Sequence, residues 1–146
     1  MTTTRVVRRI HAPVEQVFDA VAKIENFAEI VEAIESVEFL SEEKVGVGAR
    51  FRETRRMGKR LASTELEVTE YVENDYVRIV SDAGGTIWDT VYRCTPDGSS
   101  TRLEIDMDAR PQSLKSRLML LLIMPMVRKG MTKHLKSLKE YCESTA

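Results

Sequence analysis

Residues Ser113 to Cys142 read SLKSRLMLLLIMPMVRKGMTKHLKSLKEYC, and the recurrence of their apolar positions decides the architecture of the chain. Leu120, Met124, Val127, Met131, Leu135, Leu138 and Cys142 follow one another at three- and four-residue steps, the spacing of one helix face, while Arg128, Lys129, Lys133, Lys136, Lys139 and Glu140 fall off that stripe. The stretch predicts one long helix starting just after Pro111. Its second half is amphipathic, whereas LMLLLIMPMV, Leu118 to Val127, is apolar all round. Ten helical residues rise about 15 Å, half of a bilayer core, and Lys115, Arg117, Arg128 and Lys129 close both ends. The run cannot span a membrane; the expectation is that the protein covers it and uses it as a wall of a binding site. Pro125 should kink the helix or open its hydrogen-bond ladder.

Such a helix needs a sheet to lie on, and the preceding residues supply one. Thr4 to His11 is rich in β-branched residues and ends at Ala12-Pro13, which predicts a strand. Val14, Val17, Phe18, Val21, Ile24 and Phe27 then recur at helical spacing, and a second short pattern through Phe27, Ile30, Val31 and Ile34 follows a break near Glu25-Asn26. Two short helices are expected. From Ser36 to about Arg110, turn signals at 44–48, 58–59, 73–75, 83–85 and 96–99 cut the chain into six strand-like runs: 36–43, 49–57, 61–72, 76–82, 86–95 and 101–109. Short connections between consecutive runs mean antiparallel hairpins. The fold class is α+β, with the long helix laid across the buried face of an antiparallel sheet, and residues 1–146 form a single domain.

Composition agrees with this frame. Of 146 residues, 42% are hydrophobic and 31% charged, normal for one soluble domain, and the formal net charge of -1 gives no global attraction to nucleic acid or acidic membranes. Cys94 and Cys142 lack metal-ligand spacing and read as small buried hydrophobes. The N-terminal MTTTRVVRRI is not followed by an apolar signal-peptide run, so a cytoplasmic location is expected.

The order of elements, together with IHAPVEQVFDAVAKIENF near the start, VGVGARFRET around the third strand, GGTIWDTVYRCTPDGSSTRLE in the late hairpin and the final helix, resembles the START-like or SRPBCC superfamily. The likeness is to its polyketide cyclase/dehydrase and coenzyme Q-binding-like branch and covers essentially the whole chain. It implies a helix-grip fold: a seven-stranded antiparallel sheet wrapped around the C-terminal helix, with the two short helices closing one end. Members similar to this chain bind lipids, sterols, polyketides, quinones or other bulky hydrophobic molecules between sheet and helix; some branches catalyse ring closure and dehydration. Fold alone does not choose among these.

Strand alternation indicates which side chains face that space. Leu103, Ile105, Met107 and Ala109 form the inward set of the last strand, opposite Arg102, Glu104, Asp106 and Asp108; Ala62, Thr64, Leu66 and Val68 form the inward set of 61–72. In 49–57, Phe51 and Met57 pull Glu53 and Arg55 inward, where a charge needs a partner or a polar ligand. In 86–95, Trp88 and Tyr92 point inward and Asp89 and Arg93 outward. The expected ligand-binding set is Phe51, Glu53, Arg55, Leu66, Trp88, Tyr92, Met107, Met119, Met124, Val127 and Met131. In it the aromatics give flat contact plus an N–H and an O–H, Glu53 or Arg55 anchors a polar atom, and methionines form an adaptable wall. Core packing and a rim ion pair are the competing structural explanations for the same residues. His11 and His134 have no recognisable nucleophile, metal or base partner nearby in sequence and read as structural or surface groups.

Three functions compete at this level. The leading one is a binding or transport protein for a bulky hydrophobic small molecule that needs no metal, nucleotide or other cofactor, with a homodimer left open. The second is a polyketide aromatase/cyclase or dehydratase, for which Glu53 and Tyr92, with Arg55, are the acid-base candidates. The third is a ribosome- or surface-docking adaptor using RFRETRRMGKR, Arg50 to Arg60, with six basic residues and one acidic. A solvated strand face balanced by Glu65, Glu67 and Glu70 explains that segment more simply, and no aromatic interleaving supports nucleic-acid stacking.

Overall fold

The structure, a computed structural model, describes residues 2–145, except the side chains of Thr2, Met57 and Thr145. Met57, expected to face inward, therefore lies outside the described side chains. The elements run β1 (Thr2–Ile10), α1 (Val14–Ala22), a 3-10 turn (Ile24–Asn26), α2 (Phe27–Ile30), β2 (Ile34–Phe39), β3 (Arg50–Met57), β4 (Arg60–Val72), β5 (Tyr76–Ala83), β6 (Thr86–Asp97), β7 (Ser100–Pro111) and α3 (Leu114–Thr145). The strands form one seven-stranded antiparallel sheet in the order β1-β7-β6-β5-β4-β3-β2. β2 through β7 pair as consecutive hairpins, and the first strand closes against the last, so β1 and β2 are the two edges.

Two irregularities help curve this sheet. The β2–β3 register shifts between Ile34 and Ser36, and the β4–β5 register shifts between Val68 and Glu70. An extra residue on one strand bends it and raises the local twist, which suits a sheet that wraps a helix. The concave face carries Phe51, Val68, Val77, Ile79, Tyr92, Cys94, Leu103, Ile105 and Met107, all buried.

The helices occupy that face. Val17, Phe18 and Val21 of α1, then Ile24 and Phe27, join Met131, Leu135, Leu138 and Cys142 of α3 in the main core. The first half of α3 packs differently: Leu120 and Met124 form a small second cluster with Ala109, flanked by half-buried Trp88, Ile123 and Val127. α3 continues unbroken through Pro125. The carbonyl that Pro125 cannot bond is that of Leu121, and both residues sit on the exposed side, where water can satisfy it.

Both ends of α3 are tied down. At the start, the Ser113 hydroxyl accepts from the Ser116 N–H at 3.1 Å, an N-terminal cap, and the Gln112 N–H donates to the Gly85 carbonyl at 2.9 Å. Gly85 has φ +78, and a Cβ there would run into Ser116 Oγ, so a side chain at this position of the β5–β6 turn is strained and must displace the serine hydroxyl at the helix start. At the other end Lys139 Nζ donates to the Arg9 carbonyl at 2.9 Å, and Glu143 accepts from the His11 N–H at 2.8 Å.

The convex face carries the charge. Asp89 points outward as expected but is buried there, because Arg78 and Arg110 converge on its carboxylate. Glu104, expected to face water, is likewise buried, ion-paired to Arg102 at 3.0 Å and to Arg5 at 3.7 Å. Arg78 and Arg110 reach Asp89, and Arg5 reaches Glu104, from adjacent strands, a cross-strand relationship that alternation alone does not expose, while Arg102 reaches Glu104 along β7 itself.

Candidate functional site between sheet and helix

Tyr92 enters the interior because its register neighbours, Val77 on β5 and Ile105 on β7, both lie on the buried face. His134 arrives from the other side: three residues after Met131 and four before Leu138, it sits on the buried stripe of α3. Tyr92 Oη and His134 Nε2 are 3.4 Å apart, with the residues only 9% and 6% exposed. Phe27 completes the enclosure, its ring meeting the imidazole edge-on with centroids 5.8 Å apart. Sequence reasoning missed His134 as a member of the site. Its position on the stripe was the available signal, but its partner lies 42 residues away on a strand.

β3 supplies the charges. Glu53 and Arg55 share the inward face of that strand with Phe51 and pair with each other, Arg55 donating through Nε at 3.2 Å and through a terminal nitrogen at 3.1 Å to the same Glu53 oxygen. The pair is largely shielded from water on the carboxylate side. The field of these two residues reaches the Tyr92–His134 pair. Burial above all raises the Tyr92 phenol beyond its usual range; the Glu53 carboxylate adds to that and the Arg55 cation opposes it. Burial, helped by Arg55, lowers the His134 imidazolium to about 3. At neutral pH the phenol and the imidazole are both uncharged, so the phenol can donate to an unprotonated Nε2, or an Nε2–H can donate to the phenol oxygen.

The other expected ligand contacts divide between two places. Phe51, Tyr92, Met107 and Met131 are buried in the main core, with Leu66 half-buried against it. Trp88, Met124 and Val127 meet around the first half of α3. Trp88 does not offer its indole N–H to a ligand: Nε1 already donates to the Ala83 carbonyl at 3.3 Å. Met119 is displaced from the expected set, because it lies off the buried stripe and is 50% exposed. The broader expectation that the protein covers Leu118 to Val127 is corrected with it: Leu118, Leu121, Leu122 and Met126 also face outward. Sheet contact reaches only one side of the helix.

Two surface concavities accompany this interior. One, about 340 Å³, lies on the convex side by the β4 bulge, lined by Glu67, Thr69, Val80, Asp82 and Ile87 among others. The second, about 330 Å³, lies between the β1 edge and α3, lined by Thr3, Thr4, Arg5, Val6, Arg128 and Thr132. Thr4 Oγ1 is buried there with no hydrogen-bond partner among the described residues. Neither concavity includes Tyr92, His134, Glu53 or Arg55.

The basic hairpin is internally neutralised over most of its length. Arg52 pairs with Glu65 at 3.0 Å and Glu38 at 3.4 Å, Arg56 pairs with Glu35, and Arg50 stands 4.0 Å from Glu67. Glu70, expected to help, is engaged instead by Arg78 and Tyr76. Among the described residues, no group of three His, Cys, Asp or Glu side chains is placed to hold a metal ion.

The sequence matches the model of the family described as polyketide cyclase / dehydrase and lipid transport over residues 1–143, and the chain belongs to that family. Its fold is the START-like helix-grip. Among solved structures it is similar to TTHA0849 from Thermus thermophilus, with a TM-score of 0.81, 20% identity and 99% of each chain covered. It is also similar to the Zhui aromatase/cyclase from Streptomyces sp. R1128, with a TM-score of 0.76, 15% identity, and 97% of this chain and 93% of that one covered. A norcoclaurine synthase point mutant from Thalictrum, in complex with a transition-state analogue, matches with a TM-score of 0.78, 10% identity, and 99% of this chain and 95% of that one covered. Among curated proteins, none matches the sequence. At these identities the solved structures establish a shared fold.

Proposed function

We propose that this protein binds a bulky, largely apolar small molecule between the sheet and α3, and directs a ketone or hydroxyl oxygen of that molecule at the Tyr92, His134 and Arg55 side chains. One observation carries the reading: Tyr92 and His134 meet almost wholly buried in an otherwise apolar interior, and the Glu53–Arg55 pair on the inward face of β3 is close enough for its charges to act on them. A polar group in such a place costs stability unless partnered. The 3.4 Å Tyr92–His134 contact is long for a neutral hydrogen bond, which leaves donor capacity for a ligand oxygen. Met107, Met124 and Met131 give an adaptable lining suited to a large, loosely specified hydrocarbon. The family description, with its mention of lipid transport, supports this class of ligand.

A second reading is favoured by the same cluster. A neutral imidazole, a phenol, and a carboxylate held by a guanidinium are the groups needed to move a proton to or from a carbon next to a ketone, as ring closure and dehydration of a poly-β-ketone require. The aromatase/cyclase among the similar structures is in keeping with it. Mass spectrometry of organic extracts from purified protein tests the first reading, a specific apolar molecule being the expected result. Conversion of a poly-β-ketone by the protein, lost in Glu53→Gln, would instead establish the second.

A further inference from the structure

The first half of α3 presents an apolar face outward. Leu114, Leu118, Leu121, Leu122 and Met126 are each more than half exposed, with Leu122 reaching 82%, and Pro125 lies among them. On a helix these positions gather opposite the buried stripe of Leu120, Met124 and Met131, so they form one strip about 18 Å long. A contiguous apolar strip of this kind on a charged protein marks a contact surface. The charges on the helix around it have one sign. From Ala109 to Lys139 the chain contains no Asp or Glu, and Lys115, Arg117, Arg128, Lys129 and Lys133 are exposed, with no ion pair among the described residues.

We infer that this face docks the protein on an anionic lipid surface, with the leucines and Met126 entering the acyl boundary and the lysines and arginines meeting the headgroups. An apolar face bordered by unopposed basic residues is the pattern of a helix lying in the interfacial plane. A second copy of the chain fits the strip less well, because a two-fold contact would set the same basic residues against themselves. No helix among the described residues is long and apolar enough to cross a membrane, which fits contact from one side. Docking here places the less tightly packed half of α3, held by the small Ala109, Leu120 and Met124 cluster, against a reservoir of apolar molecules. The docking face stands on its own observations, whatever molecule occupies the interior.

Co-sedimentation with vesicles tests it. The full chain should pellet with phosphatidylcholine vesicles containing phosphatidylglycerol at low salt, less at high salt, and little with pure phosphatidylcholine. Leu118→Ser combined with Leu122→Ser should weaken binding by more than about tenfold, and Arg128→Gln and Lys129→Gln by roughly fivefold each. These residues are exposed, so unchanged urea midpoints serve as the folding control. Arg50→Gln with Arg60→Gln should leave binding intact. The proposal is overturned if the protein stays in solution with anionic vesicles, or if the double leucine variant binds like the parent. Loss of binding only in the Arg50/Arg60 variant would overturn it too, as would sedimentation velocity showing a dimer that the leucine variant dissociates.

Discussion

His134 Nε2 on α3 lies 3.4 Å from Tyr92 Oη on β6, so a helix and a strand that are distant in sequence place two titratable groups in one buried spot. The contact ties the proposed site to the stability of the domain. His134 is neutral when folded down to about pH 3, whereas an unfolded histidine takes a proton near pH 6.5. Between these values the unfolded state binds more protons, so the stability present above pH 6.5 is lost as pH falls through that window. Urea unfolding should show a loss of about 2 kcal/mol from pH 7 to pH 5 that His134→Gln largely removes. Equal slopes in parent and variant would exclude a buried neutral imidazole.

The two halves of α3 should respond oppositely to truncation. Leu138 is fully buried in the main core and Leu122 mostly exposed. Leu138→Ala should cost about 2–5 kcal/mol in urea unfolding, and Leu122→Ala less than about 0.5 kcal/mol.

The Gly85–Ser116 contact sets a backbone test. Gly85→Ala meets both a positive φ and Ser116 Oγ, whereas Gly84→Ala meets only a positive φ with open space around it. Gly84→Ala should cost about 1 kcal/mol and Gly85→Ala measurably more. Adding Ser116→Ala to Gly85→Ala should recover part of the difference, read as a shift in thermal midpoint.

On the convex face, the Asp89 carboxyl is held below its ordinary value, first by its hydrogen bond from Arg78 and then by the Arg78 and Arg110 charges against a burial penalty. Asp89→Ala removes the carboxylate that Arg78 and Arg110 share, leaving Arg78 with Glu70 and Arg110 with Asp108, and should destabilise by about 1–2 kcal/mol. Its contribution is present above the unfolded carboxylate value near pH 4 and lost as pH falls below that. The parent–variant difference in urea midpoint should therefore shrink in acid.

Period and turn chemistry carried most of the fold. The α3 stripe from Leu120 to Cys142 is the buried one, and the strand boundaries of β3 to β7 fall within two residues of the turn-delimited runs. Alternation likewise placed Tyr92, Leu66 and Met107 on the inner face. What escaped were relationships set by curvature and by partners far along the chain. His134 gained its role from Tyr92, Asp89 became buried through Arg78 on another strand, and the Trp88 N–H was claimed by the Ala83 carbonyl. The outward turn of Met119 and Leu122 was hidden because a run apolar on every side has no amphipathic signal to say which side the sheet takes.

In the proposed function, Tyr92, His134, Arg55 and Glu53 face a space that opens to an apolar ligand. Trp88, the single tryptophan, lies half-buried where the sheet meets the first half of α3, so its fluorescence reports ligand entry. Titration with a quinone, a sterol, a fatty acid and an aromatic polyketide should give a saturable change for at least one. That ligand should bind at least about tenfold more weakly to Tyr92→Phe with Arg55→Gln. Absence of a saturable response to any of them, from protein that unfolds cooperatively, would contradict it.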